Sequence, residues 1–194
     1  MKNLFLVFVL SLFIYGCSQT AQNSKEKEKN VLELAYEKAA SSTIYEDTIY
    51  LGFRFGMTEK EVDKHFDKLV KSKKVYIEDY TKNYKHTNNL HGMDITYGFS
   101  TEYFEGKLIR FKLHSDKDEI FTWRLFKEAK PDFHTLGEYV DLLGDKTYIE
   151  QKNNIVVLFK NDNIIYEDGK ILPLYNAYQA KQDSIRNAES LSNF

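Results

Sequence analysis

The sequence predicts an α+β domain in which helices pack on one face of an antiparallel sheet, as two modules of a helix followed by strands. Three observations predict this class. The chain of 194 residues is 42% hydrophobic, which is enough to bury one core. The Thr-x-x-Glu pattern of a helix start occurs at Thr58 and at Thr135. Short segments that alternate apolar and polar residues follow each start, as half-buried strands do.

Helices are predicted from residue types and capping patterns. Residues 31–40 are rich in good helix formers. Thr58 and Glu61 form a capping box. The helix that follows has one apolar face at Val62, Phe66, Leu69 and Val70. A second short helix is predicted after Thr135, ending before Gly144, and a fraying helix is predicted from Pro173. Residues 119–128 fit either a helix or a strand.

Strands are predicted where β-branched and aromatic residues cluster between turn signals. These segments are residues 44–55, 74–79, 94–104, 108–115, 147–151, 155–160 and 164–167. Segments 94–104 and 108–115 form a hairpin, and the second arm directs Ile109, Phe111 and Leu113 to its buried face. The polar residues 80–92 are predicted to form a loop.

The first residues have the pattern of a targeting signal. One positive charge precedes an apolar run from Leu4 to Ile14, which is short of the ~20 residues that cross a membrane. The run ends in Ile14-Tyr15-Gly16-Cys17, and Cys17 is the single cysteine of the chain. The predicted organisation is a signal peptide (1–16), Cys17 and a flexible tether (17–30), a globular domain (31–172, with a pseudo-repeat starting near 58 and 135), and a C-terminal helix or tail (173–194).

The Ile14–Cys17 run resembles the lipobox of bacterial lipoproteins. This resemblance implies cleavage before Cys17 and lipidation of Cys17 with diacylglycerol and a further acyl chain such as palmitate. Two or more chains anchor stably, since each buried CH₂ contributes about 0.8 kcal/mol. The polar residues 18–30 then form a tether with a typical span of roughly 20 Å and a limit near 45 Å.

The segment Gly56-Met57-Thr58-x-x-Glu61-Val62 resembles the helix start of the SmpA/OmlA outer-membrane lipoproteins. The paired helix–strand modules resemble beta-lactamase-inhibitor-type domains. The abundance of Lys, Asn, Tyr and Phe is similar to that of small Bacteroidetes lipoproteins. The resemblance implies a role in outer-membrane assembly or envelope maintenance. Ser18 after the cysteine favours the outer membrane, facing the periplasm, under the enterobacterial sorting pattern.

Catalytic and metal motifs are weak in this sequence. The net charge of -2 excludes a strongly basic nucleic-acid binder, and one cysteine excludes multi-cysteine zinc sites. His86 and His91 lack a third ligand, and Glu61 with His65 lacks the zinc-protease arrangement. Residues 116–119 resemble the start of a calcium loop but lack its glycine. We therefore expect no metal, no cofactor, no nucleic-acid partner and no enzymatic activity.

Aromatic residues make up 15% of the chain, and tyrosine is common both in strands and at protein interfaces. The candidate partner contacts are Tyr76, Tyr80, Tyr84, Tyr97, Tyr103 and Phe104. The sequence thus favours a lipid-anchored, non-enzymatic envelope protein that binds a protein partner. Two alternatives stay open. One is an inhibitor or immunity lipoprotein that blocks a secreted enzyme, and the other is a periplasmic hydrolase with a dispersed site near His114 or His134.

Overall fold

The computed structural model describes residues 30–192, so the predicted signal peptide, Cys17 and all but the end of the tether lie outside the described residues. Within that range the chain forms four α-helices and one eight-stranded antiparallel sheet. The predicted α+β class with an antiparallel sheet is confirmed. The helices are α1 (Val31–Ser41), α2 (Glu59–Lys71), α3 (Glu119–Ala129) and α4 (Leu172–Ser192), with a 3₁₀ turn at Tyr50–Gly52.

The strands run through the sheet in the order β1-β2-β3-β4-β8-β7-β6-β5. Their bounds are β1 (Tyr76–Ile77), β2 (Tyr84–Leu90), β3 (Met93–Phe104), β4 (Lys107–Ser115), β5 (His134–Val140), β6 (Lys146–Lys152), β7 (Ile155–Lys160) and β8 (Asn163–Asp168). Helix α2 precedes the first four strands and α3 precedes the last four. The sheet therefore consists of two helix-plus-four-strand halves, which meet where β4 pairs with β8.

Helix α2 forms as the capping pattern predicts. The Thr58 hydroxyl accepts from the Glu61 amide at 3.3 Å, and a Glu61 carboxylate oxygen accepts from the Thr58 amide at 2.8 Å. These two bonds satisfy helix donors that have no partner within the helix. Val62, Phe66 and Leu69 on the apolar face are buried, so the capped end and the buried face fix α2 on the sheet.

The two faces of the sheet are covered differently. We call the face under α2 and α3 the core face, and it carries Ile155, Val157 and Phe159 of β7. Helix α1 packs on the opposite face, where its Ala35 and Ala39 lie against residues of β6 and β7. The prediction that helices pack on one face of the sheet thus describes α2 and α3. Helix α1 lies on the opposite face, because β6 and β7 carry apolar residues on both faces.

The second module begins at α3, and the prediction of a helix after Thr135 is wrong. Residues 134–140 form β5, which pairs with β6. The Thr135 hydroxyl donates to Glu150 at 2.7 Å instead of capping a helix. Residues 119–129 form the helix, and the Asp118 carboxylate caps it by accepting from the Phe121 amide at 2.7 Å. The second unit of the pseudo-repeat therefore begins near residue 119 and not near residue 135.

Three further segments differ from their predicted structures. Residues 44–55 form no strand among the described elements, because positive φ angles at Leu51 (52°) and Gly52 (79°) reverse the chain. Residues 84–90 of the expected loop form β2, since their backbone pairs with β3. A β-bulge near Tyr103 shifts the register between β3 and β4. Leu108 therefore joins the core cluster at the place where the alternating pattern predicted Ile109.

A tight contact between α1 and Gly169 allows a test of this packing. A Cβ on Gly169 would collide with the Cβ of Ala39 and lie 3.0 Å from the Asn154 carbonyl oxygen. We expect Gly169→Ala to lower the free energy of unfolding by about 1–3 kcal/mol in urea denaturation, because α1 must move off the sheet. Gly98→Ala is the matched control, since the nearest atom to its Cβ would be the flexible end of Lys85 at 3.3 Å and the Cβ of His114 lies at an ordinary contact distance of 3.8 Å. Equal stability of the two variants would contradict this packing.

Candidate functional site

The six aromatic residues proposed as partner contacts do not share one surface. Tyr97 is 5% exposed and packs edge-on against Tyr50, with ring centroids 5.8 Å apart. Tyr84 stacks on Phe66 at 4.1 Å on the core face. Burial excludes Tyr97 from a contact surface, and the ring of Tyr84 supports the core instead.

The other candidate contacts divide between the core and the free edge of the sheet. Tyr103 packs against the core cluster, and Phe104 packs against Tyr175 of α4 with centroids 5.7 Å apart. Tyr76 and Tyr80 remain exposed, by 47% and 98% of their surface. The strand that carries Tyr76 ends the sheet, so only these two tyrosines of the proposed set lie open to a partner.

The hairpin between β1 and β2 holds Tyr80 at its tip. The Glu78 amide donates to the Asn83 carbonyl and the Lys82 amide donates to the Glu78 carbonyl, both at 2.9 Å. The Thr81 hydroxyl also donates to the Glu78 carboxylate. These bonds fix the turn, so the exposure of Tyr80 is a property of an ordered hairpin.

Lysines surround the exposed residues at this edge. Residues 71–85 contain five lysines against two carboxylates, in a chain whose net charge is -2. None of the five forms an ion pair within the described part of the chain. We call this region the β1 edge surface, defined by Tyr76, Ile77, Tyr80, Lys71, Lys73, Lys74, Lys82 and Lys85. It combines apolar contact area with unpaired positive charge.

A polar strip of the sheet face that carries α1 adjoins this edge. The Tyr76 hydroxyl lies 3.4 Å from the Thr87 hydroxyl. Farther along the same face, the Ser100 hydroxyl lies 2.9 Å from His114 Nε2. This serine–histidine pair is the arrangement closest to a hydrolytic dyad, but His114 is exposed and no carboxylate among residues 30–188 bonds to its ring.

A cleft opens on the core face between α3 and the segment around Tyr50. Two adjoining cavities of about 270 and 110 Å³ share Tyr50, Phe126 and Tyr166 as walls, and Tyr97 also lines the smaller one. We call the group Tyr50, Tyr97 and Tyr166 the tyrosine cleft.

Burial controls the ionisation of the tyrosine cleft. Burial, reinforced by the neighbouring Tyr50 and Tyr97, raises the pKa of Tyr166 far above its usual value. Burial likewise raises the pKa of Tyr50, and burial together with Asp116 raises the pKa of Tyr97 to about 12. All three side chains therefore stay neutral donors at any physiological pH.

Buried carboxylates elsewhere have structural partners. Glu150 is fully buried and accepts from Trp123 Nε1 at 2.8 Å and from Lys127 Nζ at 3.2 Å. Glu167 accepts from Arg110 Nε at 2.5 Å and from the Tyr36 hydroxyl. Burial raises the pKa of Glu167, while Arg110 opposes that shift. These groups connect helices to the sheet, and neither carboxylate lines the two cavities of the tyrosine cleft.

The histidines considered as metal ligands are separated by their contacts. His86 Nδ1 bonds to the Lys74 carbonyl, whereas His91 pairs with Glu128 at 2.9 Å. His65 Nε2 bonds to the Leu51 carbonyl at 2.9 Å. Within residues 30–192, no cluster of three His, Cys, Asp or Glu side chains could hold a metal ion.

Among the helices of residues 30–192, none has both the length and the hydropathy needed to span a membrane. Comparison of the chain with protein-family models, with curated proteins and with solved structures found no match. The resemblances based on Gly56–Val62 and on Cys17 stay predictions.

The tyrosine cleft gives a prediction about alkaline pH. An unfolded tyrosine ionises near pH 10, so a raised folded pKa stabilises the fold fully below that pH and loses its contribution as pH rises. We expect the free energy of unfolding to fall above pH 10, and Tyr97 to ionise only near pH 12 or on unfolding. Tyrosinate absorbance measures the ionisation, and near-ultraviolet circular dichroism recorded beside it measures the folded fraction. The difference from Tyr97→Phe gives the part of the absorbance that belongs to Tyr97. Loss of an absorbance step near pH 10 in Tyr97→Phe, with the fold intact, would contradict the burial.

Proposed function

We propose that this protein is a lipid-anchored envelope protein, without enzymatic activity, that binds an acidic protein partner through the β1 edge surface. The observation that carries the proposal is Tyr80, 98% exposed on an ordered hairpin with Tyr76 and Ile77 beside it. Large exposed apolar side chains are characteristic of contact surfaces, and tyrosine is enriched there. The five unpaired lysines favour a partner with negative charge.

The position of the tether supports this assignment. The described chain begins at Asn30, directly before α1, and the Val31 side chain lies against Gly137 of β5. Strand β5 is at one end of the sheet and β1 is at the other. Seven strand spacings separate them, which is about 33 Å. A lipid on Cys17 would hold the β5 end near the membrane and leave the β1 edge surface directed away from it.

The resemblance to outer-membrane lipoproteins suggests a periplasm-facing protein with a role in envelope assembly or maintenance. Under this proposal the anchor confines the protein to the membrane where its partner works. An inhibitor or immunity lipoprotein would use the same surface against a secreted enzyme, without requiring the anchor for binding. The dispersed-hydrolase alternative rests on the pair of Ser100 and His114.

Site-specific photo-cross-linking in living cells tests the proposal. A benzophenone amino acid is placed at position 80, and a matched control carries it at Tyr178, a half-exposed tyrosine of α4. We expect one stoichiometric cross-linked partner at position 80 and none at position 178. Lys82→Glu should reduce the yield at least several-fold, because it reverses the charge beside the contact. Lys181→Glu on α4 is the charge control.

The cross-linked species also separates the alternatives. A partner captured only by the form with Cys17 supports an envelope-assembly role. A secreted enzyme captured equally by Cys17→Ala supports the inhibitor or immunity alternative. Equal yields at positions 80 and 178, or a yield unaffected by Lys82→Glu, would refute the proposed surface.

A further inference from the structure

The turn between β5 and β6 exposes two leucines. Leu142 and Leu143 are 104% and 88% exposed, and Val140 just before them is 50% exposed. Exposure of three large apolar side chains within four residues to water is unfavourable in free energy unless another surface covers them. This turn is the end of the sheet opposite to the β1 edge surface.

Hydrogen bonds hold the turn in one shape. The Asp141 carboxylate accepts from the Leu143 amide at 2.9 Å and from the Asp145 amide at 3.1 Å. The Asp141 amide donates to the Asp145 carbonyl, and Lys160 Nζ pairs with the Asp141 carboxylate at 2.7 Å. The lysine holds the pKa of the Asp141 carboxyl below its usual value, so this frame persists at neutral pH. The leucines therefore project from an ordered support.

The charges around the turn are largely paired. Lys160 pairs with Asp141, and Lys146 lies 3.6 Å from a Glu138 carboxylate oxygen. The Asn161 side chain donates to Asp145 at 3.3 Å. The turn thus has no excess of positive charge that would select anionic headgroups or an acidic protein. Its distinguishing chemistry is apolar.

The tether ends beside this turn. Val31, the first residue of α1, lies against Gly137, and Leu142 is five positions along the chain from Gly137. Leu142 is therefore at most about 17 Å from Gly137, and the contact of Gly137 with Val31 adds several Å to the distance from the start of α1. Residues 18–30, as the flexible tether that the sequence predicts, would have a typical span of roughly 20 Å. A membrane that held Cys17 would then lie within reach of the leucines.

We propose that Leu142 and Leu143 insert into the lipid interface of the membrane that anchors the chain, and so orient the domain on its surface. The inference rests on the proposed lipidation of Cys17. Two side chains are far fewer than the 20–30 residues that each partner contributes to a stable protein interface. They suffice for a second, weak contact once the acyl chains hold the domain at the bilayer.

Fluorescence quenching by brominated lipid tests this contact. The full lipidated chain is reconstituted into vesicles of phosphatidylethanolamine and phosphatidylglycerol, with or without bromine on the acyl chains. Leu142→Trp reports on the turn, and Ile77→Trp is the matched control at the opposite edge. Trp123 packs against Tyr148 and gives the same background in both variants. We expect bromine to lower the Leu142→Trp emission by roughly a third beyond the wild-type value, and to leave Ile77→Trp at that value.

Mass spectrometry of the N-terminal peptide separates this inference from the proposed function. Acylated Cys17 with quenching at position 142 alone supports both. Acylated Cys17 with a wild-type signal at position 142 overturns the lipid contact and leaves the proposed anchor intact. The exposed leucines would then be assigned to contact with a protein. Quenching at both positions also overturns the lipid contact, because the domain would then have no fixed orientation. An unmodified Cys17 overturns both proposals.

Discussion

The pairing of β4 with β8 is the constraint on which the rest of the architecture depends, because it joins two four-stranded halves into one sheet. Phe111 pairs with Tyr166 on the core face, and Arg110 pairs with Glu167 on the opposite face. Residues 57 positions apart must meet for this pairing to form. That closure has an entropic cost, which side-chain contacts on both faces offset. The common core, the cleft and the positions of the two free edges all follow from it.

The ion pair at this junction specifies the register. Removing two charges from water costs several kcal/mol, so an isolated buried pair contributes little net stability. Glu167 is 2% exposed, yet Arg110 and the Tyr36 hydroxyl satisfy its carboxylate. A slip of one residue would turn Glu167 to the apolar core face, which disfavours that register. Because Tyr36 belongs to α1, the same carboxylate also positions that helix on the sheet.

Local patterns predicted the elements that local interactions complete. The box of Thr58 and Glu61 predicted α2, and turn signals between apolar segments predicted the β3–β4 hairpin and the strands β6, β7 and β8. The same Thr-x-x-Glu pattern at Thr135 was misleading, because that hydroxyl bonds to Glu150, fifteen residues away. The polar β2 resembles a loop in isolation and becomes a strand only through its pairing with β3. Where a distant partner decides the structure, residue types alone do not reveal it.

The candidate surface shows the same dependence on distant contacts. Tyr80 and Tyr97 occur in similar tyrosine-rich sequence, yet one is 98% exposed and the other 5%. The sequence offered only the lysines of residues 71–85 as a sign of an exposed edge, and no signal for the cleft tyrosines Tyr50 and Tyr166. Because β4 pairs with β8, the two halves form one sheet in which β1 and β5 are the outer strands. The contact between residues 110–114 and 163–167 thus decides that residues 76–80 lie about 33 Å from β5 and from the end of the tether. In a sheet with this order, the proposed anchorage at one edge and the proposed binding at the other require no hinge and no second domain.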